Sequence, residues 1–247
     1  MVPVSPGALP ELAPWFSPER PGPMIYEHVA RSGVGQCWVD RWPSPRVVLA
    51  ELAGNYALRG DPDHVPDLDD VVGLVEAPPE WFPALRASDP AVAVWDRVIA
   101  TLPSTVEVPP PSIDVRPLAP ADADGLAALD PTLTWIGETW GGPAGMAASG
   151  RAYGVFVGRR PVSVATSFYV GARHEDIGVV TEPDYRGKGL STASAAALVA
   201  DIRARGRTPS WTTSPDNAGS LGVASRLGFV QQRTDVLYAV RSPIPTN

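Results

Sequence analysis

The sequence predicts a mixed α+β protein built on a mixed sheet, and three observations carry that prediction. Short apolar runs of strand length recur at residues 36–40, 47–52, 55–59, 113–118, 153–157, 162–170, 177–181, 210–213 and 236–240. Helix-length segments lie between several of them, the clearest being the Ala-rich stretch that follows Gly189 and closes at Gly206. At residues 176–198 an apolar run, the turn Arg186-Gly187-Lys188-Gly189 and that helix follow one another without a break. A helix start exposes N–H groups with no intrahelical partner, and the helix dipole adds positive charge there. Glycines let a ligand approach the backbone closely, so the order strand, glycine turn, helix predicts a phosphate cradle.

Composition sets the bounds. With 247 residues, 44% of them hydrophobic, the chain suffices for one large domain or two small ones. Cys37 is the sole cysteine, which excludes an internal disulfide and a multi-cysteine metal site, so no metal is expected. No run approaches a membrane span, and the Pro-rich start lacks the pattern of a secretory signal. A cytoplasmic protein with no membrane partner is the expectation. Residues 1–111 carry a net charge of −8 and residues 112–247 carry +1. That balance argues against nucleic acid and permits a cationic substrate near the acidic half, although a solvated acidic surface accounts for the charge equally.

The elements follow in order. Residues 1–23 hold seven prolines with Trp15 and Phe16 among them, an irregular or polyproline-like arm that its aromatics can pin to the body. Residues 47–52 and 55–59 flank Gly54 and predict a hairpin. The acidic loop at residues 61–70 lacks the spacing of a calcium loop. Residues 80–85 and 91–102 predict helices, with Trp95, Val98 and Ile99 at helical spacing as core. Prolines 103 and 109–111 mark a composition change, so the predicted organisation is an arm at 1–23, an accessory module at 24–111 and a second module at 112–247. In the second module residues 113–118 predict a strand and 120–129 a helix with acids in its first turn. The Trp-rich residues 134–142 predict a second helix and loop. Three strands lead to the central turn and helix, and strand 210–213, helix 216–227 and strand 236–240 close the chain.

The turn matches neither the dinucleotide fingerprint, which would need Gly at position 192, nor the P-loop. Arg186-Gly187-Lys188-Gly189-Leu190-Ser191 resembles the acyl-CoA loop [RQ]-x-x-G-x-[GA] of the GNAT superfamily of N-acyltransferases, departing only in Ser191. Asn217-Ala-Gly-Ser220, followed by Arg226-Leu-Gly-Phe229, resembles that family's closing motif, and the element order over residues 112–240 is similar to its own. Thr181-Glu182-Pro183 looks closest to the glycine N-acyltransferase-like branch. The resemblance implies a GNAT fold in the second module; the strand and helix rhythm of residues 24–100, which lack a repeat of the loop, suggests a degenerate GNAT-like half there.

The same resemblance implies an acetyl-CoA-dependent N-acetyltransferase in which a small-molecule amine attacks the thioester directly. Alternatives of other classes are a non-catalytic acyl-CoA-binding sensor and a protein-amine acetyltransferase. The pantetheine would pair with the strand edge at Val179, Val180 and Thr181, and a backbone N–H near Thr181 would stabilise the oxyanion. Arg186, Gly187, Lys188, Gly189, Leu190, Ser191 and Thr192 would hold the pyrophosphate, with Asn217 and Ser220 contacting the cofactor. Lys188 is the only lysine. Asn217 also suits a helix N-cap.

A base must take a proton from the amine. Asp176 is the first candidate and Glu175 the second, and adjacent strand residues face opposite sides, so at most one of them points into the cleft. His174 is a third candidate and suits a surface turn equally. Many family members place a Tyr as general acid seven residues after the Asn, where this chain has Ala224, and Tyr238 is a distant substitute better explained by packing. Trp135 and Trp140 are candidate acceptor-site residues, and Trp211 reads as core. Cys37 lacks an adjacent base and reads as buried. The sequence leaves a homodimer open.

Overall fold

The chain begins at a sheet edge. In the computed structural model, which describes residues 1–64 and 68–245, β1 (Val2–Pro3) pairs antiparallel with β2 (Gln36–Val39). Between them run a 3-10 segment, Pro6–Phe16, and α1 (Ile25–Ser32). Leu12, Phe16, Ile25, Tyr26 and Val29 of this stretch pack on Cys37, Val39 and Val48. Gly33 ends α1 with φ +72°, and its N–H donates to the Val29 carbonyl, the left-handed cap that glycine adopts freely. The hairpin predicted around Gly54 is present, as β3 (Val47–Leu52) and β4 (Asn55–Gly60). Ala53 and Gly54 both take positive φ at its turn, as a two-residue loop of matching twist requires. β5 (Gly73–Glu76) runs parallel to β4, and α2 (Phe82–Ser88) leads to β6 (Ala93–Thr101).

The second half repeats that plan. β7 (Arg116–Pro117) lies at the opposite edge, and α3 (Ala123–Ala127), the 3-10 segment Pro131–Trp140 and α4 (Pro143–Ala148) follow it. β8 (Ala152–Val157), β9 (Arg160–Val170) and β10 (His174–Thr181) form an antiparallel meander. Then come α5 (Leu190–Ala204), β11 (Thr208–Thr213) parallel to β10, α6 (Ala218–Leu227) and β12 (Val230–Val240).

Among the described residues twelve strands form one sheet, in the order β1-β2-β3-β4-β5-β12-β6-β11-β10-β9-β8-β7. Read from either edge, the order is an antiparallel run, one parallel pair, and then the final strand of the other half. β6 pairs with β11 and β12, while β12 pairs with β5 and β6, so the halves exchange their last strands. The repeat is incomplete at one place. Twelve residues join β4 to β5, fewer than the fifteen of α5 alone. The glycine turn and its helix therefore belong to the second half. Residues 65–67 of the acidic loop lie outside the described residues.

Three expectations are corrected. Residues 91–102 form a strand, β6, where a helix was expected. Apolar residues at 95, 98 and 99 suit either period, and the partners that decide the matter, β11 and β12, come from far along the chain. The strand expected at 113–118 contracts to Arg116–Pro117. The Pro-rich arm is ordered structure: it holds an edge strand and a 3-10 segment, and Phe16 stacks on Tyr26 at 4.4 Å between ring centroids.

The halves are also joined by side chains. His28 on α1 is fully buried; its Nε2 donates to the Thr139 carbonyl at 2.9 Å and its Nδ1 accepts from the Val170 N–H at 3.2 Å. This pattern fixes the neutral tautomer with the proton on Nε2. Burial pushes its pKa down to about 4. Among the described residues no helix is long and apolar enough to cross a membrane.

Candidate active site

The sheet is split between β10 and β11. They pair from His174 and Thr208 only as far as Asp176 and Ser210. β10 stays with β9 to Thr181, and β11 stays with β6 to Thr213, so the two parallel strands part beyond Asp176. The Glu182 N–H donates to the Val162 carbonyl, and bonding alternates along an antiparallel pair. The N–H and C=O groups of Val179 and Thr181 therefore turn away from β9 and into the gap. Val180, expected on this edge, turns its backbone groups to β9; its carbonyl also accepts from the Ser163 hydroxyl at 3.1 Å, and its side chain is in the core.

At the wide end of the gap stands the glycine turn. Gly187 and Gly189 have φ of +73° and +78°, and a Cβ at either would meet open space, so the turn is exposed by construction. Gly189 is the N-cap of α5, and no side chain caps that end. The first intrahelical bond runs from the Ala193 N–H to the Gly189 carbonyl, leaving the N–H groups of Leu190, Ser191 and Thr192 without helical partners. Leu190 anchors the helix start against Val155 and Val162. Hydroxyls tie the helix to β10: Thr181 Oγ1 lies 2.7 Å from Ser191 Oγ and 2.8 Å from Ser163 Oγ, which lies 3.2 Å from Ser194 Oγ. Arg186 Nε donates to the Thr181 carbonyl, Lys188 Nζ donates to the Asp184 carbonyl, and Thr192 accepts from Arg226 at 3.4 Å. The turn thus presents amides and two cations in one place, an arrangement that suits a diphosphate.

Glu175 and Asp176 point to opposite faces of β10 and have different fates. Glu175 has no exposed surface and is ringed by donors. Its Oε1 accepts from Arg151 (3.0 Å), Arg205 (3.0 Å) and Arg207 (2.6 Å), and its Oε2 accepts from Arg205 (2.7 Å) and Ser167 (2.5 Å). Burial alone would raise its pKa; the bonds from Arg205, Ser167 and Arg207 outweigh burial and hold it below the usual range. This second candidate base is spent on joining β10 to the end of α5 and the start of β11.

Asp176 lies at the apex of the gap, on the other face, and is 3% exposed. Its Oδ1 accepts from Ser210 (2.7 Å) and Thr212 (3.0 Å) of β11. Burial lifts its pKa to about 6, against the pull of those bonds and of the charges on Arg97 and Arg233. Tyr169 sits opposite Asp176 in the β9–β10 register and is buried. Burial and the Asp176 charge raise the pKa of its phenol, which keeps its proton at neutral pH.

The remaining candidates divide. Asn217 caps α6, its Oδ1 accepting from the Ser220 N–H at 2.9 Å. The Ser220 hydroxyl accepts from the Trp211 indole, and Trp211 packs on Phe229 in the core, as expected of it. Trp135 is 40% exposed, with its ring edge-on to Phe168, and its neighbour Ile136 lies over Gly178. Trp140 donates to the Ser167 carbonyl and packs edge-on to His28, so it serves the join between the halves. His174 lies against Glu19 of the N-terminal arm. Tyr238 stacks on Phe82 in the first half's core, Ala224 is buried against α5, and Cys37 is buried. Among the described residues no group of three or more His, Cys, Asp or Glu could hold a metal ion.

Tyr169 and Arg97, which share the face of Asp176, were not among the sequence candidates. Tyr169 could have been found by registering residues 162–170 against 174–181, and Arg97 by treating residues 93–101 as a strand.

A mixed sheet split between parallel strands, beside a glycine turn at a helix start, defines an N-acetyltransferase architecture. A model of the GNAT acetyltransferase family matches residues 19–238, and the chain belongs to that family. It is 39% identical over 218 residues, 83% of this chain and 90% of the relative, to a Streptomyces virginiae protein named as an uncharacterized N-acetyltransferase in the mutA 5' region. Among solved structures it is similar to a GCN5-related N-acetyltransferase-like protein from Streptococcus suis, with a TM-score of 0.71 and 21% identity over 94% of this chain and 98% of that one. A tandem GNAT protein from the clavulanic acid biosynthesis pathway aligns over 99% of both chains with a TM-score of 0.56 and 14% identity. These two structures share the fold.

Proposed function

We propose that the protein transfers an acetyl group from acetyl-CoA to the primary amine of a small molecule, by direct attack within a ternary complex. The observation that carries this reading is Asp176, a buried carboxyl at the apex of the strand gap with Oδ2 outside its bonds to Ser210 and Thr212. Acetyl-CoA, when bound, supplies the acyl group as an activated thioester. The amides from Gly187 to Thr192, with Arg186 and Lys188, hold its diphosphate. The strand edge at Val179 and Thr181, turned into the gap, pairs with the pantetheine arm, and the Thr181 N–H is a donor for the thioester oxygen.

Asp176 is ionised at neutral pH, with a pKa near enough to accept a proton efficiently. The acceptor ammonium gives one proton to Asp176 Oδ2. Its nitrogen then bonds to the acyl carbon as the carbon–sulfur bond breaks, and its surplus proton leaves. Tyr169, protonated and on the same face, gives its proton to the thiolate and takes the one held by Asp176, which restores both groups and fills a role left vacant by Ala224. The buried setting of Asp176 favours a small acceptor over a folded protein surface.

The test is thiol release from acetyl-CoA against pooled amines, amino acids and polyamines, with CoA binding followed by calorimetry. Release should depend on one pool and fall by about 100-fold or more in Asp176→Asn, with CoA affinity retained. Undiminished release in that variant would overturn the assignment of the base. Tight CoA binding without release from any pool would favour the acyl-CoA-binding sensor that Ala224 suggests.

A further inference from the structure

Strands β6 and β12 cross the centre of the sheet, and their register places Trp95 beside Leu237, Arg97 beside Asp235, and Ile99 beside Arg233. Side chains alternate along a strand, so Trp95, Arg97 and Ile99 share one face. Asp176 pairs with Ser210, and Ser210 with Thr101 at the end of that same β6 face; Asp176, Tyr169 and Asp216 all act electrostatically on Arg97.

Arg97 differs from the other arginines of the interior. Arg151, Arg205 and Arg207 are bound to Glu175, Arg59 to Glu76, and Arg233 to Asp235. The Arg97 guanidinium lies 3.9 Å over the Trp95 ring, and its Nε is buried without a hydrogen-bond partner. Among the described residues no hydrogen bond or ion pair reaches it. The side chain as a whole is partly buried, so the cost of a missing acceptor falls on Nε, and one aromatic face offsets only part of it. Asp176 does not neutralise it by contact: the bonds to Asp176 come from Ser210 and Thr212. Arg97 therefore has donors to offer a ligand and Asp176 has one carboxylate oxygen, with Asp216 a further negative charge nearby.

We propose that the acceptor is an amino-acid-type zwitterion, its carboxylate bound by Arg97 and its ammonium facing Asp176. This rests on the acetyl-transfer reading and narrows it. Planar donors that stack on an indole present a fork to a carboxylate, which selects acceptors bearing one and rejects those without it. The decarboxylated amine gives the guanidinium no carboxylate to bind and leaves its buried Nε unpaired.

The experiment uses the full chain with acetyl-CoA and matched pairs: phenylalanine and phenethylamine, tryptophan and tryptamine, lysine and cadaverine. Thiol release and calorimetric binding to the CoA-loaded protein are both read. The expected result is that a carboxylated member is preferred over its partner. Arg97→Gln should raise that acceptor's KM or Kd on the order of 100-fold and leave CoA affinity unchanged. Arg97→Lys, which keeps the charge and loses the fork, should fall between, and it carries the test if Arg97→Gln does not fold. Preference for the decarboxylated amines, an unmoved acceptor KM in Arg97→Gln, or a parallel loss of CoA affinity would each overturn the proposal, the last by assigning Arg97 to a CoA phosphate. If nothing turns over while CoA binds, acetyl transfer fails as a reading. The zwitterion site then stands only if an amino acid binds the wild type and not Arg97→Gln; the absence of any such binding overturns it.

Discussion

Replacing Asp176 with Asn should make the protein more stable and less active at once. The carboxyl has its pKa lifted from 3.8 to about 6, chiefly by burial. The unfolded chain ionises this group first, so between those values the native state binds more protons and stability falls as pH rises. Roughly 2 units at ~1.4 kcal/mol each place the cost near 3 kcal/mol once pH exceeds the folded pKa. Asn keeps an oxygen for the Ser210 and Thr212 hydroxyls and removes the charge. Arg97 loses a neighbouring negative charge, which offsets part of the gain. For a chain of this size ~1 kcal/mol moves Tm by about 2–4 °C, so the ceiling is near ~10 °C. The assay is urea unfolding of both proteins at about pH 7.5 and about pH 4, with thiol release measured alongside. The gain should be large at the higher pH and nearly absent at the lower one, where the wild-type carboxyl is largely protonated in the native state. Equal stability differences at both pH values, or a loss at pH 7.5, would refute the argument that burial charges the native state for this group.

Glu175→Gln should do the reverse, destabilising by about 3 kcal/mol with the gap chemistry intact, because partly buried Arg151 and Arg207 lose their anion and Arg205 keeps only Asp201; urea midpoints check it. His28 should make the wild type lose stability on acidification. Its folded pKa is about 4 against 6.5 ordinarily, so the unfolded chain takes the proton first and stability drops by up to ~3 kcal/mol between those values. His28→Gln, which can donate to Thr139 and accept from Val170, should flatten that slope relative to wild type. Gly189→Val should weaken CoA binding by at least ~10-fold in calorimetry, since φ is +78° and a branched side chain there forces the turn to rearrange; an unchanged Kd would remove the turn from the binding site.

Much of the site was legible because it is local. The turn at residues 186–189, the strand before it and the helix after it follow from glycine freedom, helix propensity and an apolar run, and all three lie within 31 consecutive residues. Asp176 stood out by its place ahead of the apolar run, and strand alternation already required it and Glu175 to differ. The second module's element order was equally readable, since each strand and helix there carries its own turn signals.

Tertiary structure decided the rest. Which of the two acids is free depends on three arginines, one just before β8, one at the end of α5 and one just before β11, and local sequence cannot weigh them. Residues 93–101 became a strand because the gap between β11 and β12 had room for one, and apolar spacing could not tell that from a helix. That exchange of strands carries Arg97 to the face of Asp176, and antiparallel register sets Tyr169 opposite it. A phosphate turn is a property of a few adjacent dihedral angles, which the chain encodes on the spot. A buried charge acquires its partners, or goes without them, only when distant strands meet.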